Sequence, residues 1–113
     1  MAQLMEDAMP IMAIYRSGAV DQETFDRIRI EVPIEPIPDG AISHHVAFGD
    51  DGLIGIDVWE SEAHLAAFTR DRLNPGLSRL GLALEPPQVL ELREFVAVSD
   101  AARHNVEPTA QPS

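Results

Sequence analysis

The sequence predicts an α+β domain of the ferredoxin-like βαββαβ type, with a four-stranded antiparallel sheet and helices on one of its faces. Three observations carry that prediction. Apolar residues alternate with period two in several short stretches, which marks strands. They recur at helical spacing after Asp21 and again after Ser61, two good helix caps. The elements follow one another as strand, helix, strand, strand, helix, strand, which is the split βαβ order.

Each element has its own local reason. Residues 1–8 read as a short leader. Pro10 to Tyr15 (Pro-Ile-Met-Ala-Ile-Tyr) forms the first strand. Asp21 caps a helix over 21–32, with Glu23 in its first turn, where a negative charge suits the helix dipole, and with Phe25, Ile28 and Val32 on one stripe. Pro33 ends that helix and opens a proline-rich connector to Gly40. Ala41 to Phe48 and Leu53 to Trp59 form a hairpin, read with Asp50-Asp51-Gly52 as a three-residue loop whose glycine is left-handed. Ser61 caps the second helix, which buries Leu65 and Phe68. Asn74-Pro75-Gly76 breaks it and starts a short helix with Leu77 and Leu80 facing inward. Val89 to Val98 is the fourth strand. From Ser99 to Ser113 the chain is rich in Ala, Pro, Gln, Thr and Ser and reads as a disordered tail. The domain is thus expected over 9–98.

Composition narrows the function. The 113 residues suffice for one domain with one core. Nineteen acidic residues against eight basic ones give a formal charge of -11, which opposes nonspecific nucleic-acid binding. There is no lysine, and Arg70, Arg72 and Arg79 are interleaved with Asp71 and apolar residues rather than gathered into a patch. The absence of cysteine excludes disulfides, thiolate metal sites and cysteine nucleophiles. No apolar run approaches the roughly 18 residues of a membrane span. Met1 to Asp7 is acidic rather than basic, unlike a signal peptide. A cytoplasmic protein with no membrane partner is expected. No Gly-rich phosphate loop and no nucleophile elbow occurs. The four histidines are separated and lack a carboxylate ligand pattern, so no metal is expected.

Helices sufficient for one sheet face leave the other uncovered. No remaining segment is long enough to cover it, so a homodimer packed sheet face to sheet face is expected.

Gly40-Ala-Ile-Ser-His-His-Val-Ala, Gly52-Leu-Ile-Gly-Ile-Asp-Val-Trp-Glu-Ser, and Phe68 with Arg72-Leu-Asn-Pro75 resemble small actinobacterial members of the dimeric α/β-barrel superfamily, similar to antibiotic-biosynthesis monooxygenase-like domains. The resemblance covers roughly residues 9–98. It implies a dimeric α/β barrel and a pocket for an apolar or aromatic small molecule, worked by a monooxygenase, cyclase or isomerase without a cofactor. The superfamily also holds haem-degrading enzymes, and haem binding, with His64 as ligand, is a further expectation to weigh. The haem-degrading members carry Asn on the first strand and Trp and His on the second helix. Here the first strand has no Asn, and Phe68 and the Ser78-Arg79 region stand at the helical positions.

Within the hairpin, the three-residue loop sets His45 opposite Asp57 and Ser43 opposite Trp59, on a face turned away from the helices. Ile42, His44, Val46, Phe48, Ile54, Ile56 and Val58 then face the helices; a loop shorter by one residue would put His44 in place of His45. A carboxylate beside an imidazole orients the ring, and the other nitrogen is free to exchange a proton with substrate. His45 is thus expected as the acid/base and Asp57 as its orienter, with Tyr15, Ser43, Trp59, Phe68 and Arg93 toward substrate. The competing reading is that the pair is a structural hydrogen bond inside a barrel or interface, and that the protein binds a small ligand, or simply pairs, without catalysis.

Overall fold

The computed structural model describes residues 9–98. The expected leader (1–8) and tail (99–113) lie outside the described residues. The elements are β1 (Ile11–Ser17), α1 (Gln22–Glu31), β2 (Ala41–Gly49), β3 (Gly52–Trp59), α2 (Glu62–Phe68), a π-helical turn (Thr69–Leu73), α3 (Asn74–Arg79) and β4 (Gln88–Glu91). The strands form one antiparallel sheet in the order β2-β3-β1-β4. This is the ferredoxin-like arrangement.

The caps lie where the side chains dictate. Asp21 accepts from the Thr24 backbone N–H at 2.8 Å, and Ser61 accepts from that of His64 at 3.2 Å, each supplying a partner to a donor left over at a helix start. The break expected at Asn74-Pro75-Gly76 does not occur. Helix α2 widens into the π turn and continues directly into α3, with Asn74 itself helical. Pro75 falls in the first turn of α3, where the wide turn before it tolerates the missing N–H. Gly76 lies against the end of α1, and a Cβ there would overlap Val32 Cγ2. Arg79 Nε donates to Glu31 Oε1 at 2.6 Å across the same contact. The fourth strand is four residues long rather than ten, and Phe95, Val96 and Val98 are exposed beyond it.

The hairpin differs from expectation by one residue. Gly49 pairs with Gly52, so the turn is Asp50-Asp51 and Gly52 begins the strand. Gly52 is left-handed as expected (φ +103°), and the Ser17 carbonyl and Gly18 Cα leave no room for a side chain. The register is therefore His44↔Asp57, His45↔Ile56 and Ser43↔Val58, with an irregularity between Ala41 and Ser43.

The faces of β3 are correspondingly exchanged. Leu53, Gly55, Asp57 and Trp59 look toward the helices, with His44, Val46 and Phe48 of β2 and Ile11, Ala13 and Tyr15 of β1. Two apolar clusters fill this layer. Ile11, Ala13, Tyr15, Trp59 and Leu65 form one, and Val20, Ile28, Val32, Leu53 and Leu77 the other. Ile54, Ile56 and Val58 face the opposite side, beside Met12 and Ile14. The sequence points the other way because the isoleucine and valine positions of β3 are its more uniformly apolar set.

Gly76→Ala tests the α1–α3 contact. Overpacking at this junction should destabilise by about 1–3 kcal/mol. Gly49→Ala, whose new Cβ would meet nothing within 4 Å, serves as control in thermal melts.

Candidate functional site

A cavity of about 320 Å³ lies between the helix-facing side of the sheet, α1 and the connector that follows it. Its size is at the lower end of the range for small-molecule pockets, roughly 300–1,000 Å³. The walls are mainly apolar, with Phe25, Ile28, Ile34, Ile37, Phe68 and Leu84 among them. Trp59 and Phe68 stack obliquely, ring centroids 5.3 Å apart at 39°.

The polar groups converge on one side. His44 Nδ1 and Asp57 Oδ1 are 2.6 Å apart. Arg29 Nη2 lies 3.1 Å from His44 Nε2. A guanidinium carries donors only, so Nε2 accepts. The ring proton is then on Nδ1, which donates to the carboxylate. Asp57 is buried at 7% exposure, and this bond meets the need of a buried carboxylate for a donor. Arg29 also donates through Nη1 to the Val32 carbonyl at 3.0 Å. Burial lowers its pKa, and the Asp57 charge opposes that shift.

Two further polar atoms are buried without a partner among the described residues, Tyr15 Oη and Trp59 Nε1. Both residues line the cavity. A buried unpaired polar group costs about 1–3 kcal/mol. The Tyr15 phenol is pushed up to about 12, first by burial and second by the Asp57 charge. The Thr69 hydroxyl partly offsets this without reaching hydrogen-bond geometry. The phenol is therefore neutral at physiological pH and able to donate.

The expected site residues divide. Tyr15, Asp57, Trp59 and Phe68 meet at the cavity. His45 does not: it pairs with Ile56 on the other face, exposed, and its Nε2 bonds with Ser43 Oγ at 3.2 Å. His44 holds the place beside Asp57, because the two-residue turn moves the register by one. Ser43 borders the cavity where the register slips, opposite Val58 rather than Trp59. Arg93 is exposed beyond the end of β4, away from the cavity lining. His64, named from the sequence as a haem-ligand candidate, is half-buried, shares a 2.6 Å hydrogen bond with Ser61 Oγ and fills the space that a side chain at Gly40 would need. Among the described residues, no group of three or more His, Cys, Asp or Glu is placed to hold a metal ion, and no helix is long and apolar enough to cross a membrane.

Arg29 was missed. Its signal is its spacing: Phe25, Ile28, Arg29 and Val32 occupy i, i+3, i+4 and i+7 of α1, so a cation stands within the apolar stripe.

No family model and no curated protein matches the chain. Solved structures share its fold. A protein from Chloroflexus aurantiacus, provisionally described as an antibiotic biosynthesis monooxygenase, superposes with a TM-score of 0.55 at 15% identity, covering 80% of this chain and 97% of that one. A protein of unknown function from Nitrosomonas europaea gives 0.54 at 14% identity, covering 80% and 94%. A conserved protein from Methanosarcina mazei gives 0.53 at 15% identity, covering 81% and 99%. At these identities the likeness is one of fold.

The single tyrosine provides a direct probe of the cavity floor. Its folded pKa of about 12 lies above the unfolded value of 10, so the folded chain binds the proton more tightly across that interval. Stability should be unaffected by this group below pH 10 and should fall as pH rises toward 12. Spectrophotometric titration of the folded protein should show tyrosinate forming near 12, and earlier in Asp57→Asn, which removes the repelling charge. A normal phenol titration would place Tyr15 in water.

Proposed function

We propose that this chain is a small monooxygenase-like enzyme that acts on an apolar or aromatic small molecule by proton transfer, with His44 as the acid/base and Asp57 orienting its ring. The observation that carries this reading is the 2.6 Å His44–Asp57 pair at the wall of an apolar cavity that also holds the unpartnered Tyr15 and Trp59 donors. Asp57 fixes the tautomer, and the developing imidazolium would be stabilised by its charge. Tyr15 and Trp59 would hold an oxygen of the substrate, and Phe68 would pack against its body. The provisional description of the Chloroflexus protein supports the reaction class by likeness of fold alone.

Lone ligand binding without turnover is the second reading, favoured by the occupied state of His44 Nε2. The two separate on mutation. If the pair transfers protons, His44→Ala and Asp57→Asn should each reduce turnover of a ligand recovered with the purified protein, by roughly 10²–10⁴-fold for loss of a general base. His45→Ala should leave it unchanged. If the pair is structural, both changes should instead lower the melting temperature and leave any turnover intact.

We also infer a homodimer through the uncovered sheet face. Met12, Ile14, Ile54, Ile56 and Leu90 share that face by register, beside the already buried Val58, and no described helix packs on it. Sedimentation should show a dimer at micromolar concentration, and Ile56→Glu should shift it to monomer. A stable wild-type monomer would overturn the inference.

A further inference from the structure

The imidazole of His44 has no idle nitrogen. Nδ1 is engaged by Asp57 and Nε2 by Arg29. A base works through a lone pair, and the lone pair of this ring faces a guanidinium. Asp57 is the deepest of the three, with a side-chain accessibility of 10% against 47% for His44. Arg29 is half-buried, tethered to the Val32 carbonyl and lying 5.3 Å from the centre of the Phe25 ring. A group that bonds Nε2 must displace the guanidinium from it.

We propose that Arg29 is a displaceable anion clamp and the specificity-determining residue of this cavity, whose ligand is a small apolar carboxylic acid. The ligand's carboxylate draws the guanidinium from His44 Nε2 and leaves that nitrogen facing the ligand. This rests on the reading of the cavity as a ligand site.

The exchange is favoured by the chemistry of the partners. Arg29 now makes one bond to a neutral imidazole acceptor. A carboxylate offers two anionic oxygens in the geometry of the guanidinium fork, and such charge-assisted pairs are roughly twice as strong as neutral ones. The Asp57 carboxylate cannot take this role, because it is deeper and already holds the Nδ1 proton. The apolar walls suit a hydrocarbon body. A ligand carboxylate left without Arg29 would be an unpaired charge at their edge, which is costly. A neutral ligand gains nothing from Arg29 and leaves the base capped. Selection of the acid and release of the imidazole are therefore one event.

The test uses the full chain and two probes of equal shape, cinnamate and cinnamamide. Dissociation constants are measured by calorimetry, and the His44 ring nitrogens are followed by NMR of histidine-labelled protein. Cinnamate should bind at least about tenfold more tightly than the amide, equivalent to about 1.4 kcal/mol. Only cinnamate should shift the Nε2 resonance away from its hydrogen-bonded position. In Arg29→Gln the two dissociation constants should converge. Binding of both probes with equal affinity, or a preference that survives in Arg29→Gln, would overturn the proposal while leaving the cavity as a ligand site. Failure of both probes to bind would sink the proposal and the cavity reading together. Should Arg29→Gln fold poorly, the wild-type pair of affinities and the Nε2 signal decide the matter without it.

Discussion

A buried carboxylate on the inner side of β3 constrains much of this structure. Asp57 lies among apolar side chains, where an ionised group without donors would cost several kcal/mol. The donor comes from across the hairpin, from His44, and only one register supplies it. A slip by one residue would turn His44 to the open face and strand the carboxylate. The two-residue turn at Asp50-Asp51, the left-handed Gly52 and the irregularity at the far end of β2 are all consistent with that pairing. The cavity follows from the same strand. Gly55 stands between Leu53 and Asp57 on the inner side and presents no side chain beside Tyr15, so the layer opens where the polar groups gather.

The fold class could be read from the sequence because it depends on coarse signals: two caps, two helical stripes and the order of elements. The Asp21 and Ser61 caps are local chemistry, complete within four residues. The site depended on finer things. Loop length decides whether His44 or His45 meets Asp57, and Asp-Asp-Gly is compatible with either a two- or a three-residue turn. The face of β3 was misread because its two sides are both apolar in part. Leu53 and Trp59 compete with Ile54, Ile56 and Val58, and Asp57 looks like a surface residue until its partner is known. Arg29 could have been found from its position on the α1 stripe, but the contact that matters joins residues 15 apart across two elements, which no local pattern reports. The continuity of α2 into α3 is not legible in Asn-Pro-Gly, because a π turn precedes it and Pro75 falls in the first turn of α3, where a missing N–H costs little.

Both faces of the sheet are largely apolar. The face that meets the helices carries two apolar clusters together with His44, Asp57 and the unpaired phenol and indole donors, while the outer face carries Met12, Ile14, Ile54, Ile56 and Leu90 beside Arg16 and His45. In a sheet with one wet side the outer face is polar. The apolar outer face has two consequences. The outer face makes sense as a second buried surface, so the sheet is expected to sit between its own helices and a partner's sheet. The inner face has surrendered part of its packing to an apolar cavity with one polar side, at a cost that the uncharged Tyr15 and Trp59 donors and the Asp57–His44–Arg29 row make local. Stability lost on the inner side would be recovered on the outer one, and dimerisation and the site would then be coupled through the strands they share: β3 would hold Ile54 and Ile56 toward the partner and Gly55 and Asp57 toward the ligand on successive residues.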